Sequence, residues 1–404
     1  MRIAIVGAGP AGAMAAIRLA RAGAPVWLFD ASHPREKACG GGVTGRALAS
    51  IADVVDVAAL PAVVVASATV EAPASGIHGH ARVDLIDRGL SSGSSLVVLS
   101  RTVFDSALVE AAVKSGARLI AERVAFVARR NRAMVITTPQ GEYEADFVIG
   151  ADGANSLVRR TFWRPFTRAE LSIAAGYFVH GARASEIAIR CTAEQPGYLW
   201  SFPRADHLAV GVCTRATGHA TAGELRAQSL AWIASRALQH GARLEPYAWP
   251  IPSAGFGDAG GLVGGGPGWI LAGDAAGLVD PLTREGISYA LSSGRWAAEA
   301  LLHSPGLAAN AYDRRLKEEM YPELNRAAAL SRMFFSPRFS KLFVAALQNS
   351  GPIREVFRDL VAGTQPYRGL KRRLLATREW TLAGRTALMA VRFPGRQRLR
   401  PFPF

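Results

Sequence analysis

The sequence of 404 residues predicts an α/β protein with a Rossmann-like, discontinuous nucleotide-binding domain, an inserted antiparallel β-sheet domain and a C-terminal helical region. Two observations carry that expectation. The chain opens on an apolar strand that runs through a glycine turn into an alanine-rich helix. Two later apolar strands, near residues 147 and 269, also end in glycine turns, so distant parts of the chain return to the same sheet. Half of the residues are apolar, enough for a large core in two or three domains.

The first unit reads as a strand over Ile3 to Val6, the turn Gly7-Ala-Gly9-Pro-Ala-Gly12, a helix over Ala11 to Arg21 stopped by Gly23, and a strand over Val26 to Phe29. Asp30 follows, 18 residues past Gly12, where a carboxylate can accept hydrogen bonds from ribose hydroxyls; a plain strand-end turn is the alternative. The loop Ser32 to Gly45 holds Lys37-Ala-Cys39-Gly40-Gly41-Gly42, and Ser100-Arg101 opens another helix. Residues 118–150 alternate as a β-meander, ending in Phe147-Val-Ile-Gly150-Ala-Asp152-Gly153. Residues 171–215 carry β patterning with many aromatics, and residues 223–240 read as one helix. Eight glycines between 255 and 268 mark a loop-rich return. Trp269 to Ala272 then gives a strand with a helix after Gly273-Asp274, and helices follow from Ser288 through 311–331 and 338–347. The boundaries expected are 1–60, 96–160 and 266–304 for the nucleotide-binding domain, 61–95 and 161–265 for the inserted sheet, and 305–404 for the helical region.

A single GxGxxG turn implies a dinucleotide. Gly7, Gly9 and Gly12 let the backbone approach a pyrophosphate at the helix N-terminus. Asp274, at the end of the returning strand, supplies a carboxylate for a polyhydroxy chain beside that pyrophosphate. The ribityl chain of FAD is such a chain, and NAD has none. The absence of a second GxGxxG argues against a dedicated NADPH domain, which leaves transient NADPH, ferredoxin or a quinol as electron donor.

Three cysteines, Cys39, Cys191 and Cys213, lie far apart without metal spacing, so neither a metal site nor a disulfide scaffold is expected. A first strand beginning at Arg2 argues against a signal peptide, and no apolar run reaches the roughly 18 residues of a membrane span. A cytoplasmic, reducing location is the resulting expectation. The formal net charge is +15, with ten Arg or Lys against one acid in Tyr367 to Phe404. That tail is either a solvated basic surface or a peripheral anchor for anionic lipid, since Trp380, Leu382, Leu388, Val391 and Phe393 interleave with the arginines. No nucleic-acid module is recognised.

The motifs GAGPAG at 7–12, GADGANSLVR at 150–159 and GDAAGLVDPLTREGI at 273–287 resemble the aromatic-hydroxylase-like flavoprotein superfamily. Within it, Lys37-Ala-Cys39-Gly40-Gly41 and Tyr198-Leu-Trp200-Ser-Phe202-Pro203 are similar to the geranylgeranyl reductase family, whose YxWxFP signature is followed by GxG. Here Gly211 keeps the spacing, but Cys213 replaces the last glycine, and Arg284 stands where many relatives have glycine. The resemblance implies a PHBH-type FAD domain, with FAD held through Ala11, Asp30, Cys39, Gly40, Gly41, Arg101, Val124, Asp274, Gly286 and Ile287; Asp152 in the second glycine turn joins that set. Arg101 could instead be a surface residue at a helix start.

The reaction implied by the resemblance is saturation of an isoprenoid C=C bond by hydride from reduced flavin and a proton from the other side. Tyr198, Trp200 and Phe202 alternate along a strand and share one face, either as a simple core face or as a π-rich substrate wall. Cys39, followed by three glycines, is the candidate proton donor, with inert packing as its alternative. The expected partner is a geranylgeranyl or polyprenyl lipid. Two rival functions share the FAD motifs: an aromatic monooxygenase, and a non-catalytic flavin electron-transfer or membrane-docking protein.

Overall fold

The computed structural model describes residues 1–73, 79–86, 96–192, 197–217, 221–253 and 262–379. Its first sheet has six strands in the order Gly265–Gly266, Trp269–Leu271, Phe147–Gly150, Ile3–Val6, Val26–Phe29 and Arg118–Ile120. Ile3–Val6 is buried at all four positions, as a continuous apolar run must be when parallel strands pair on both sides and helices cover both faces. Helix Pro10–Arg21 packs against helix Ile287–His303 so closely that a methyl added at Gly294 would meet the Ala11 carbonyl at 2.1 Å.

The second large sheet has seven strands: Arg243–Pro252, Leu171–His180, His207–Arg215, Gly197–Pro203, Ile187–Cys191, Ser67–Glu71 and His80–Asp84. One face packs on helix Ala222–Ser235 through Leu225, Trp232 and Ile233. The opposite face carries Ala174, Phe178, Trp200, Ala209, Cys213 and Tyr247, with Ala38 of the cysteine loop packed onto it. Strand alternation thus sorts the sheet into a helix-covered side and an aromatic side turned to the nucleotide-binding domain. A three-stranded sheet of Gly42–Thr44, Leu96–Val98 and Val63–Val64 connects the two.

Several elements differ from expectation. Arg118–Ile120 is a parallel edge strand, and the antiparallel meander is confined to Phe126–Arg130, Ala133–Thr138 and Gly141–Ala145. The helix expected over 223–240 ends at Ser235; Ala237 has φ 53, and the chain turns back toward Arg243. Gly273–Ala276 is a short 3₁₀ turn rather than a helix; the long helix expected to open at Gly286 and Ile287 does begin at Ile287. The expected helix 311–331 is interrupted by a π-helical turn at Leu316–Met320, after which Pro322 starts the next helix in its first turn. Residues 255–261 of the glycine-rich return and Trp380 to Phe404 of the tail lie outside the described residues.

Candidate functional site

Two helix N-termini converge on the nucleotide side. Helix Pro10–Arg21 has Gly9 as its N-cap with no side-chain cap, and helix Ile287–His303 has Gly286 in the same role. Among the described residues, the N–H groups of Gly9, Ala11, Gly12, Gly286 and Ile287 have no hydrogen-bond acceptor. Gly12 cannot be larger, because a Cβ there would sit 1.9 Å from the Gly7 oxygen. Beside Gly9, by contrast, the nearest atom to an added Cβ is His33 Nε2 at 3.8 Å, which leaves the N-terminus open to a ligand. One free N-terminus suits a diphosphate. A second, about 1 kcal/mol favourable to negative charge, suits the pyrimidine edge of a reduced flavin. These residues fit FAD.

Asp274 Oδ2 pairs with Lys37 Nζ at 2.9 Å, which ties the cysteine loop to the returning strand. Asp30 is more heavily engaged than a simple ribose ligand. Its Oδ2 accepts from Ala8 N (2.9 Å) and contacts His33 Nδ1 (2.6 Å); its Oδ1 accepts from Ser32 N (2.8 Å), Ser32 Oγ (2.8 Å) and His33 N (3.1 Å). His33 Nε2 lies 3.3 Å from Asp105, whose carboxylate is gripped by Arg101 Nε and Nη2 at 2.9 and 2.8 Å. The alternative of a surface Arg101 does not hold, since it is 4% exposed. Burial alone would neutralise these groups, but the alternating charges win: Asp30 is held well below the usual carboxylate range, Asp105 is lowered, and His33 is pushed up.

This charge chain makes stability depend on pH. His33 is raised in the fold, so its contribution to stability is fully present below its unfolded value of about 6.5 and is lost as pH rises through the folded value. Melting temperatures of the wild type from pH 6 to 9 should therefore decline more steeply than those of His33→Asn. Parallel curves would contradict this.

Asp152 is placed as a helix cap. It accepts from Ser156 Oγ (2.5 Å), Leu157 N (2.6 Å) and Val158 N (3.3 Å), at the start of helix Leu157–Phe162. Val124 is half-buried in the stretch after the edge strand Arg118–Ile120.

The cysteine loop and the aromatic strand meet directly. A Cβ on Gly40 would stand 2.9 Å from the Phe202 ring and one on Gly42 would stand 3.0 Å from it, so the glycines allow the ring to lie flat on the loop. Cys39 is half-buried, and its Sγ accepts from Gly41 N at 3.3 Å. Trp200 is buried, Tyr198 and Phe202 are half-buried, and the Tyr198 hydroxyl donates to the Thr283 carbonyl at 2.6 Å. Gly211 makes room for Trp200, since a methyl there would meet its ring at 2.6 Å.

Arg204, directly after Pro203, is a site residue that the sequence motifs do not single out. Its side chain is fully buried and joins Glu36 Oε1 (2.5 Å), the Cys39 carbonyl (2.7 Å) and His207 Nε2 (3.2 Å). Glu36 in turn accepts from Ser100 Oγ (2.5 Å) and Arg101 N (3.1 Å), and its carboxyl is held below its ordinary value by Arg204 and these donors against the cost of burial. One buried cation therefore fixes the backbone of the cysteine loop.

Residues 1–215 match the FAD binding domain family model, more than half of the chain. The chain belongs to this FAD-binding family. The flavoprotein is 32% identical over 378 residues to a menaquinone reductase of Mycolicibacterium smegmatis, covering 87% of each chain. It is 31% identical to a geranylgeranyl diphosphate reductase of Rhodobacter capsulatus, over 74% of each chain. A geranylgeranyl bacteriochlorophyll reductase-like structure from Thermoplasma acidophilum superposes with a TM-score of 0.76 at 20% identity, over 93% of this chain and 98% of that one. At that identity the likeness shows the fold alone; the flavin-dependent brominase Bmp2 shares it, with a TM-score of 0.71.

Proposed function

We propose that this flavoprotein is a reductase that saturates C=C bonds of a geranylgeranyl or polyprenyl chain. The observation that supports it most is the contact of Phe202 with Gly40 and Gly42, which sets an aromatic floor against the cysteine loop. FAD, once bound and reduced, supplies the hydride. An isolated alkene has no carbonyl to draw electron density away, so positive character developing on its carbons must be met by π faces. Trp200, Tyr198 and Phe202 offer those faces in a site from which buried neighbours exclude water. Cys39 holds a proton at Sγ for the second carbon, and Arg204 holds the Cys39 backbone in place. The names of the relatives support the same substrate chemistry.

NADPH, ferredoxin or a quinol would reduce the flavin. No helix among the described residues is long and apolar enough to cross a membrane. The basic tail, with ten Arg or Lys against one acid, is the segment we propose for docking on anionic lipid. Lipid extracts from cells with and without the protein test the function. Mass spectrometry should show polyprenyl species shifted by two hydrogens per reduced bond only where the protein is present; hydroxylated products instead would favour a monooxygenase.

A further inference from the structure

Beyond Phe202 the strand Gly197–Pro203 turns back on itself, and Arg204 N donates to the His207 carbonyl at 2.8 Å, closing a hairpin with strand His207–Arg215. Side chains alternate along a strand, and opposite residues of an antiparallel pair share a face. Arg204 therefore extends the row of Tyr198, Trp200 and Phe202, while His207 extends that of Cys213, Gly211 and Ala209. On the neighbouring strand, His180 pairs with His207. The aromatic face thus closes with Arg204 and His207, which are 2% and 5% exposed.

These two side chains meet in one protonation state. Arg204 Nη1 lies 3.2 Å from His207 Nε2, and a guanidinium donates without accepting. Nε2 must then be the acceptor, which puts the imidazole proton on Nδ1, where it is donated to Asp206 Oδ1 at 2.7 Å. A second proton would set N–H against N–H and a second buried cation beside Arg204, whose Nη1 already engages the Glu36 carboxylate at 2.5 Å. Burial, followed by the Arg204 charge, pushes the imidazole below its ordinary value against the pull of Asp206 and Glu36. The His180 ring stands 5.0 Å away by centroids and is turned to Glu245 Oε2 at 3.0 Å, which also takes Arg243 Nη1 at 3.2 Å. Phe178 meets the imidazole edge-on at 5.4 Å, and Arg183 donates to the Ala205 carbonyl of the same turn at 3.1 Å. The Asp206 side chain is 74% exposed, so one edge of the buried ring is in reach of solvent protons.

We propose that His207 is a positioning residue: its neutral Nδ1–H form holds Arg204 on the Cys39 carbonyl, and protonation of the ring frees that carbonyl and slows proton transfer from Cys39. The inference rests on the reductase reading with Cys39 as proton donor, and adds to it an acid limit set outside the substrate site. His207 acts on the cysteine only through Arg204, whose Nη2 donates to the Cys39 carbonyl at 2.7 Å. Since the folded value lies below the ordinary one of about 6.5, the contact is complete at neutral pH and is lost as pH falls through the folded value, opposite in direction to His33.

Single-turnover reoxidation of the pre-reduced holoenzyme without oxygen, from about pH 5 to 8.5, tests this in the wild type, His207→Gln and His207→Leu, with geranylgeranyl diphosphate and with menaquinone as substrates. Glutamine offers Arg204 an acceptor that does not titrate; leucine keeps bulk and offers none. The wild-type rate should fall below pH 6.5, approaching about tenfold per pH unit, and this acid limb should be absent from His207→Gln. His207→Leu should be slower by roughly 10- to 10²-fold at every pH, the scale of a misplaced group. The visible flavin spectrum shows whether each variant holds its cofactor; if His207→Leu does not, the wild type against His207→Gln still decides. In parallel, nitrogen-15 spectra of the histidine-labelled holoenzyme, with His207→Gln identifying the signal, should show a neutral Nδ1–H imidazole at pH 7.5. A neutral Nε2–H form or a charged ring at that pH, or the same acid limb in the wild type and His207→Gln, would overturn the positioning role while leaving the reductase in place. Reoxidation by neither substrate would instead overturn the reductase reading, and the nitrogen spectra would still decide whether His207 accepts from Arg204.

Discussion

Arg204→Ala is expected to lower the stability of the protein by about 3–5 kcal/mol, the range for removing one partner of a buried ion pair, and to weaken flavin retention with it. The size of the effect reflects the groups left behind. Glu36 would remain beneath the cysteine loop with Ser100 Oγ and the Arg101 N–H but without its cation, and the Cys39 carbonyl would lose its 2.7 Å donor. Arg204 also stands with its guanidinium 5.1 Å from the Phe178 ring, so its removal opens the aromatic face as well. The double variant Arg204→Met, Glu36→Gln should recover part of the loss, because it removes the unpaired charge and keeps much of the volume. Chemical denaturation of the single and double variants measures both; a single-variant loss below about 1 kcal/mol, in the range of an exposed pair, would contradict this role.

Cys39→Ala is expected to retain FAD yet to slow alkene reduction by roughly 10²-fold or more, the usual scale for the positioned proton donor proposed here. Cofactor binding should survive because the side chain accepts only the Gly41 N–H, while the backbone of the loop is fixed by Arg204 and, through Lys37, by Asp274. Cys39→Ser separates proton transfer from packing: serine preserves size and polarity but is a far weaker acid, so turnover should stay low although the loop is intact. Single-turnover rates with pre-reduced enzyme isolate this step from flavin reduction. Wild-type rates in Cys39→Ala would return the residue to inert packing.

The parts of the fold that are legible in the sequence are those with a local period. Ile3–Val6 and Phe147–Gly150 are unbroken apolar runs ending in glycine turns, and both sit side by side in the parallel sheet. The same signal places Trp269–Leu271 beside them. Strand periodicity is silent on the conformation beyond a glycine turn, so a helix is expected where Gly273–Ala276 forms a 3₁₀ turn. The site is legible as motifs but not as contacts. Phe202 on Gly40 joins residues 162 positions apart in the chain, and nothing local to either announces the other. Arg204 reads as one arginine among many until its burial is known. Asp30 illustrates a further limit. Its place at the end of the second strand is plain, whereas the His33 and Asp105 groups that engage it depend on how a loop folds back over the sheet. Asp152 and Ser156 do carry a local signal, a carboxylate ahead of a helix-capping serine, which the glycine turn beside them overshadows.

The most direct measurement is anaerobic reoxidation of the reduced flavoprotein by a polyprenyl substrate, monitored at the flavin absorbance, with the product analysed from the same mixture. The account predicts substrate-dependent reoxidation in the absence of oxygen, with one equivalent of a product two hydrogens heavier per flavin. A flavin that stays reduced until oxygen is admitted, and then yields peroxide or a hydroxylated product, would contradict it.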